Sequence, residues 1–242
     1  MTPRLYVDSP LRAHITLALP EAAARHAQVL RLQPSNEVTL FDGRGGEWAA
    51  RIEAMGKREV TATALVHKAV ERELPCHVTL ALAMPSGERM DFVIEKASEL
   101  GAARIVPLTC ERSVLRLAGE RADKRRAHWQ AIAVAACEQC GRNRVPEVSA
   151  PQPLAAWLGM LGERATEQQR WLLGWRDARP FSDAAQAATV LTLSGPEGGF
   201  TADEEALAAA CGFITVGLGP RVLRADTAPL AVMAALSLCA AM

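Results

Sequence analysis

None of the 242 residues falls in an apolar run of 18, so no transmembrane helix is predicted. The opening Met1-Thr2-Pro3-Arg4-Leu5-Tyr6 lacks the charged-then-apolar succession of a secretory leader, and the chain is expected in the cytoplasm with no membrane partner. Internal repeats and low-complexity tracts are missing too. The six cysteines are scattered at 76, 110, 137, 140, 211 and 239. Cys137-x-x-Cys140 is the one close pair, and no second pair completes a zinc site. It lies in an apolar helical pattern with Trp129, Ile132, Ala133 and Ala136, so buried reduced thiols are the expected reading. The five histidines do not cluster, and no metal is predicted.

Net charge is absent as well, with 27 Lys and Arg against 27 Asp and Glu. The distribution is uneven. From 104 to 144 there are nine basic and four acidic residues, and from 151 to 210 four basic and eight acidic. Screening confines electrostatic effects to about 10 Å, so one positive face suffices for a polyanionic partner. For Arg121, Lys124, Arg125 and Arg126 alone, a solvated helix face is the plainer reading.

What the chain does have is patterning. Half of it is apolar and 22% charged, as in a globular protein with a sizeable core. Residues 1–70 read as β-rich. Val38 to Phe41, Glu47 to Ile52 and an alternating Glu59 to Val70 are separated by Asp-Gly and Gly-Gly turns, which suggests hairpins of a small barrel. One helix from about Pro20 to Leu30 interrupts them. Glu71 to Pro75 reads as a linker. From 76 to 242 strands alternate with helices. Strands are expected at His77 to Met84, Arg104 to Thr109, Arg170 to Trp175, Thr189 to Ser194 and 213–217. Helices are expected at Arg89 to Leu100, Lys124 to Cys140, Leu154 to Leu161, 201–211 and from about Thr227. Near-continuous apolar strands between helices imply an α/β fold with a parallel sheet covered on both faces.

Two segments carry the functional signal. Gly195-Pro196-Glu197-Gly198-Gly199-Phe200 follows the strand ending at Ser194 and precedes a capping box of Thr201 and Glu204. Strand, glycine-rich turn and helix is how α/β proteins bring bare backbone close to a nucleotide-like ligand. Taken alone, such a turn is as often a tight turn without a ligand. The second segment is Leu218-Gly219-Pro220-Arg221-Val222-Leu223-Arg224-Ala225-Asp226-Thr227-Ala228.

Together with Lys96 to Gly101 and Glu138 to Arg142, these segments resemble the RsmE family of RNA methyltransferases, in order over nearly the whole chain. The resemblance implies methylation of N3 of one uridine in the decoding region of 16S ribosomal RNA. It also implies S-adenosylmethionine as cofactor, the assembled small ribosomal subunit as partner and a homodimer. The implied fold is a SPOUT-type parallel sheet with a C-terminal trefoil knot, preceded by a small PUA-like β-barrel. Nothing in composition or periodicity points to the knot. Asp226 stands where the family usually carries Glu, which keeps the charge and shortens its reach.

On this reading three loops after strands contact the cofactor. They are Leu172, Leu173 and Gly174; Ser194, Gly195, Pro196, Glu197, Gly198 and Gly199; and Val216, Gly217, Leu218, Gly219 and Leu223, with Leu218 and Leu223 sandwiching the adenine. Uracil N3–H is a weak acid whose loss leaves negative charge on O2 and O4, so a positioned arginine is needed. Arg224, Arg221 and Asp226 are the chemical candidates. Arg224 would hold the uracil oxygens or a flanking phosphate, and Asp226 would take the proton or instead cap the last helix with Thr227. Arg112 and Arg142 are read as RNA contacts, or as ion-pair partners of Glu111 and Glu138. Lys96 ranks below them because it can reach Glu99. Arg4, Arg12, Arg25 and Arg31 are unranked RNA candidates, and Trp48 is assigned to the barrel. The alternatives are ribose 2′-O-methylation of tRNA or rRNA by a related enzyme, and a non-catalytic RNA-binding factor.

Overall fold

The computed structural model describes residues 2–57, 59–181 and 187–239 and divides into two units. Unit 1 comprises 1–73 with 134–145, and unit 2 comprises 74–133 with 146–242.

In unit 1, strands β1 (Arg4–Tyr6), β2 (Thr16–Ala18), β3 (Glu37–Phe41), β4 (Glu47–Met55) and β5 (Val60–Lys68) form a mixed, barrel-like sheet in the order β1-β3-β4-β5-β2. Alternation decides which face is buried. Val60, Ala62 and Ala64 of β5 turn inward with Ala50 and Ile52 of β4 and Val38 and Leu40 of β3. Helix α1 (Glu21–Val29) closes this core with Ala23, Ala24 and Ala27. Register shifts between Ala49 and Ala50, and between Ile52 and Ala54, bend β4 as bulges do.

The buried polar centre of this unit involves residues 142–144. Arg4 Nη1 donates to Glu47 Oε2 at 2.7 Å, and Arg72 Nη1 reaches the same oxygen at 3.0 Å. Arg4 Nη2 donates to Asn143 Oδ1 at 2.6 Å and to the Arg142 carbonyl at 3.1 Å. Asn143 Nδ2 donates in turn to the Val70 carbonyl at 2.7 Å. Arg144 pairs with Glu71 and Arg142 with Glu73. The segment read as a linker is tied down by three ion pairs. Residues 134–145, expected to belong wholly with the C-terminal half, group instead with the barrel.

In unit 2, β6 (His77–Ala83), β7 (Arg104–Thr109), β8 (Glu147–Val148), β10 (Gln168–Leu173), β11 (Arg179–Pro180), β12 (Thr189–Ser194) and β13 (Ile214–Gly217) form a parallel sheet. The order is β11-β13-β10-β12-β6-β7-β8, and β9 (Gln152–Pro153) pairs with β7. Central β6 and β12 are buried on both faces after their first residue, which explains their unbroken apolar runs. Helix α2 (Arg89–Glu99) turns Met90, Val93, Ile94 and Ala97 inward. Gly101, at φ +97°, ends it: the Ala102 N–H bonds the Ala97 carbonyl at 2.9 Å, and a Cβ on Gly101 would stand 2.7 Å from the Leu74 side chain. The remaining helices are α3 (Gly119–Cys140), α4 (Leu154–Met160), α5 (Ala202–Ala210) and α6 (Thr227–Cys239). Helix α6 packs on α2 and β12, and Ser237 Oγ donates to the Leu100 carbonyl at 2.7 Å. Among the described residues no helix is long and apolar enough to cross a membrane, and no group of three or more His, Cys, Asp or Glu is placed to hold a metal.

Burial alone would push the Glu47 carboxyl up, but hydrogen bonds from Arg72 and Arg4 hold it below its ordinary value. A carboxylate depressed in the folded state stabilises the protein above its unfolded-state pKa, and that stability drains as pH falls through the folded-state value. Glu47→Gln, which removes the negative charge paired with the buried Arg4 guanidinium, is expected to cost about 3 kcal/mol at neutral pH. It should also flatten the loss of stability below roughly pH 4. Urea unfolding of wild type and variant at neutral and acid pH checks both.

Candidate functional site

Strands β12, β10 and β13 are adjacent and parallel, so the turns after Ser194, Leu173 and Gly217 emerge at one edge of the sheet. This carboxyl edge is where open parallel sheets place ligands. It holds a cavity of ≈ 760 Å³, lined by Ser194 to Phe200 from the first turn, Leu172 to Arg176 from the second and Val222 to Ala225 from the third. The volume suits a ligand of nucleoside size with a short tail.

The glycine-rich turn is held from two sides. Thr201 caps α5: its hydroxyl accepts from the Glu204 N–H at 3.3 Å, and its own N–H donates to Glu204 Oε2 at 2.9 Å. The other Glu204 oxygen accepts the Glu111 N–H at 2.8 Å, joining the start of α5 to the turn after β7. From that turn Arg112 Nη1 donates to the carbonyls of Gly198 at 2.9 Å and Phe200 at 3.3 Å. Gly195 lacks the Cβ that would meet the Phe200 ring at 3.1 Å, and Gly199 adopts φ +71°. The Gly195 site lets the phenyl ring lie against the turn, and the Gly199 site needs a left-handed residue. Behind this brace, burial and then the Glu204 charge push the Cys110 thiol up to about 12, so it stays protonated at neutral pH.

The cavity wall contains an unmet polar group. Ser194 Oγ is buried and has no hydrogen-bond partner among the described residues. A buried hydroxyl without a partner costs free energy that a ligand's polar atom would recover. Bare glycine backbone, this hydroxyl and apolar Leu172, Leu173 and Leu223 form a lining that fits a purine nucleoside carrying an amino-acid tail.

Of the residues expected to contact a cofactor, Leu172, Leu173, Gly174, Ser194, Gly195, Pro196, Glu197, Gly198, Gly199 and Leu223 line this cavity. Gly217, Leu218 and Gly219 do not. They line a second cavity of ≈ 460 Å³ with Arg179, Phe181, Ala231 and Ala235. The cause is strand order: Gly217 pairs with Pro180 of β11, on the side of β13 away from β12. Val216 is fully buried in the sheet, and Leu218 and Leu223 line different cavities.

The chemical candidates separate as well. Arg224 is exposed on the cavity wall, whereas Arg221 lies outside the lining. Asp226 accepts the Thr227 hydroxyl at 3.2 Å and faces Arg89 Nε at 3.9 Å. Among the described residues no backbone N–H donates to it; the first N–H groups of α6, on Thr227 and Ala228, go to the Arg224 carbonyl. Arg89 also faces Glu197 at 3.6 Å. Of the RNA candidates, Arg112 is on the cavity. Arg142 is not available to a phosphate: its side chain is 3% exposed and its fork is engaged by Glu73 rather than by Glu138. Lys96 is held between Glu95 and Glu99, whose hydrogen bonds push its pKa well up. Arg4 is the buried partner of Glu47, and Arg25 pairs with Glu21. Glu138, offered as a partner for Arg142, instead accepts from the Tyr6 N–H and pairs with His26, both at 2.9 Å.

Sequence reasoning missed Arg89, Trp175, Arg176, Phe200 and Thr215 on the cavity. Arg89 follows β6, so applying the carboxyl-edge rule to that strand would have found it. Trp175, expected inside a strand, lies past the end of β10 on the cavity rim. Glu204→Ala is expected to destabilise the protein by about 1–2 kcal/mol, the cost of a lost capping interaction. Thermal unfolding of the purified variant measures it.

The RNA methyltransferase domain family matches residues 72–237, and the RNA methyltransferase PUA domain family matches residues 19–65. The ribosomal RNA small subunit methyltransferase E of Synechocystis is 34% identical over 240 residues, which cover 97% of this chain and 77% of that protein. The structure of ribosomal RNA small subunit methyltransferase E from Neisseria gonorrhoeae bound to S-adenosyl methionine superposes with a TM-score of 0.91 at 39% identity, covering 99% of this chain and 98% of that one. A Legionella pneumophila methyltransferase with bound SAM superposes with a TM-score of 0.92 at 35% identity, again covering 99% and 98%. Matched from barrel to last helix, the chain belongs to the ribosomal RNA small subunit methyltransferase E family.

Proposed function

We propose that this protein transfers a methyl group from S-adenosylmethionine to N3 of a uridine in the decoding region of 16S rRNA, in the assembled small subunit in the cytoplasm. The observation that carries the reading is the cavity at the carboxyl edge, where glycine backbone, an orphan Ser194 hydroxyl and exposed Arg224 meet. The SAM-bound relatives support the choice of cofactor.

Leu172, Leu173, Ser194, the 195–199 turn and Leu223 would hold the cofactor, which supplies an electrophilic methyl group on its sulfonium. Their task is to fix that group in line with the incoming nitrogen, since alignment supplies much of the rate. Arg224 donates hydrogen bonds to the uracil oxygens as N3 loses its proton, stabilising charge that builds only during reaction. Asp226 accepts that proton, directly or through a water, while Thr227 donates to one of its oxygens and Arg89 faces the other. Exposing the target base costs a few kcal/mol of unstacking, which RNA contacts with the protein must offset.

Two further readings belong to the proposal. The C-terminal part threads as a trefoil knot, a reading supported by β13 pairing with β10 on the side away from β12 while α6 returns to pack on β12 and α2. The protein acts as a homodimer, and exposed Phe92 on α2 and Leu238 on α6 support a covered apolar face.

The test is transfer of labelled methyl onto small subunits that lack the modification, with the nucleoside identified by mass spectrometry. Label in 3-methyluridine is expected. Label on ribose, or none while RNA binding persists, contradicts the proposal. Arg224→Ala is expected to lower kcat by about 10²- to 10³-fold with cofactor affinity retained.

A further inference from the structure

Trp175 is a large apolar side chain left 60% exposed, two residues past the end of β10. It stands on the rim of the larger cavity and is also a wall of the smaller one. An uncovered indole beside a cavity marks a place where a partner is taken up. The chain around it is specialised. The Arg176 guanidinium lies 4.9 Å from the Trp175 ring centre, and the next residue, Asp177, adopts φ +49°. A non-glycine residue in the left-handed region carries strain, and such positions cluster at binding sites. With Arg176 in place most of the ring remains open to a planar partner.

The charge around the indole selects the partner's chemistry. Arg176 and Arg224 line the same cavity, and Arg221 is exposed close by in sequence. Of the carboxylates nearby, Glu197 and Asp226 face Arg89, Glu205 lies on the cavity lining and Asp177 follows Arg176. A flat aromatic surface flanked by guanidinium groups suits a nucleobase whose phosphates lie beside it.

We propose that Trp175, with Arg176 against it, is the stacking platform for an unstacked base of the RNA substrate at the cavity mouth. The inference rests on the RNA-methylating reading above and adds a substrate-binding residue to it. Stacking is sequence-tolerant because every base has a π face, so the platform secures an exposed base while other contacts select it.

The test compares Trp175→Ala and Trp175→Phe with wild type in four measurements. These are affinity for a single-stranded uridine-containing oligonucleotide by anisotropy, KM and kcat on unmodified small subunits, cofactor affinity by calorimetry, and mass by light scattering. Trp175→Ala is expected to weaken oligonucleotide binding and raise KM by about tenfold, the size of one lost base–aromatic stack. Cofactor affinity and mass should hold, and Trp175→Phe should recover most of the loss. Unchanged oligonucleotide affinity overturns the proposal. So does an equal fall in cofactor affinity, which would make the indole a cofactor wall, or a fall in mass, which would make it a subunit contact. If wild type transfers no methyl group, the enzyme reading fails while the oligonucleotide measurement still decides the role of Trp175.

Discussion

Everything at the carboxyl edge depends on how the 195–200 turn is fixed, and a single carboxylate does most of that. Glu204 closes the capping box with Thr201 through one oxygen and takes the Glu111 N–H with the other. Helix start, glycine turn and the end of β7 are thus one hydrogen-bonded assembly. Arg112 extends it by bonding two carbonyls of the turn itself. A glycine-rich segment gains its freedom from missing side chains, so its shape has to come from neighbours. Here the neighbours are charged groups spending their bonding capacity on backbone. The turn's shape is thus set by contacts within the protein, and bracing of this kind lowers the ordering cost of binding.

The barrel solves a different problem with the same means. Small inward side chains such as Ala50, Ala62 and Ala64 leave its core modest, and a buried array of Arg4, Glu47, Arg72 and Asn143 supplements it. Buried ion pairs add little net stability over an apolar replacement, but they penalise any arrangement that breaks them. That property suits a unit assembled from two distant stretches of chain, 1–73 and 134–145.

Much of this was legible in the sequence, and the gaps have physical causes. The strand Thr189 to Ser194 and the Thr201–Glu204 cap depend on local periodicity and three-residue spacing, and both stand where they were read. Short β1, β2, β8, β9 and β11 have two or three residues each, too few for a period to show; their neighbours make them strands. Arg142 follows an apolar helix and so looked exposed, yet Glu73, 69 residues away, buries it. Gly217 to Gly219 were grouped with the glycine turn because both follow strands. The sheet order β11-β13-β10-β12, invisible to spacing, sends them to another cavity. Trp175 read as strand because it continues an apolar run, and only three-dimensional placement shows it standing in solvent.

The account stands on the larger cavity being the cofactor site, and titration of the protein with S-adenosylmethionine in a calorimeter tests that most directly. Wild type is predicted to bind one molecule per chain. Gly198→Leu is predicted to fold and to lose that binding, since a side chain there would extend along Arg112 on the cavity wall. Equal affinity in wild type and variant, or no binding to a folded wild-type chain, would contradict the account.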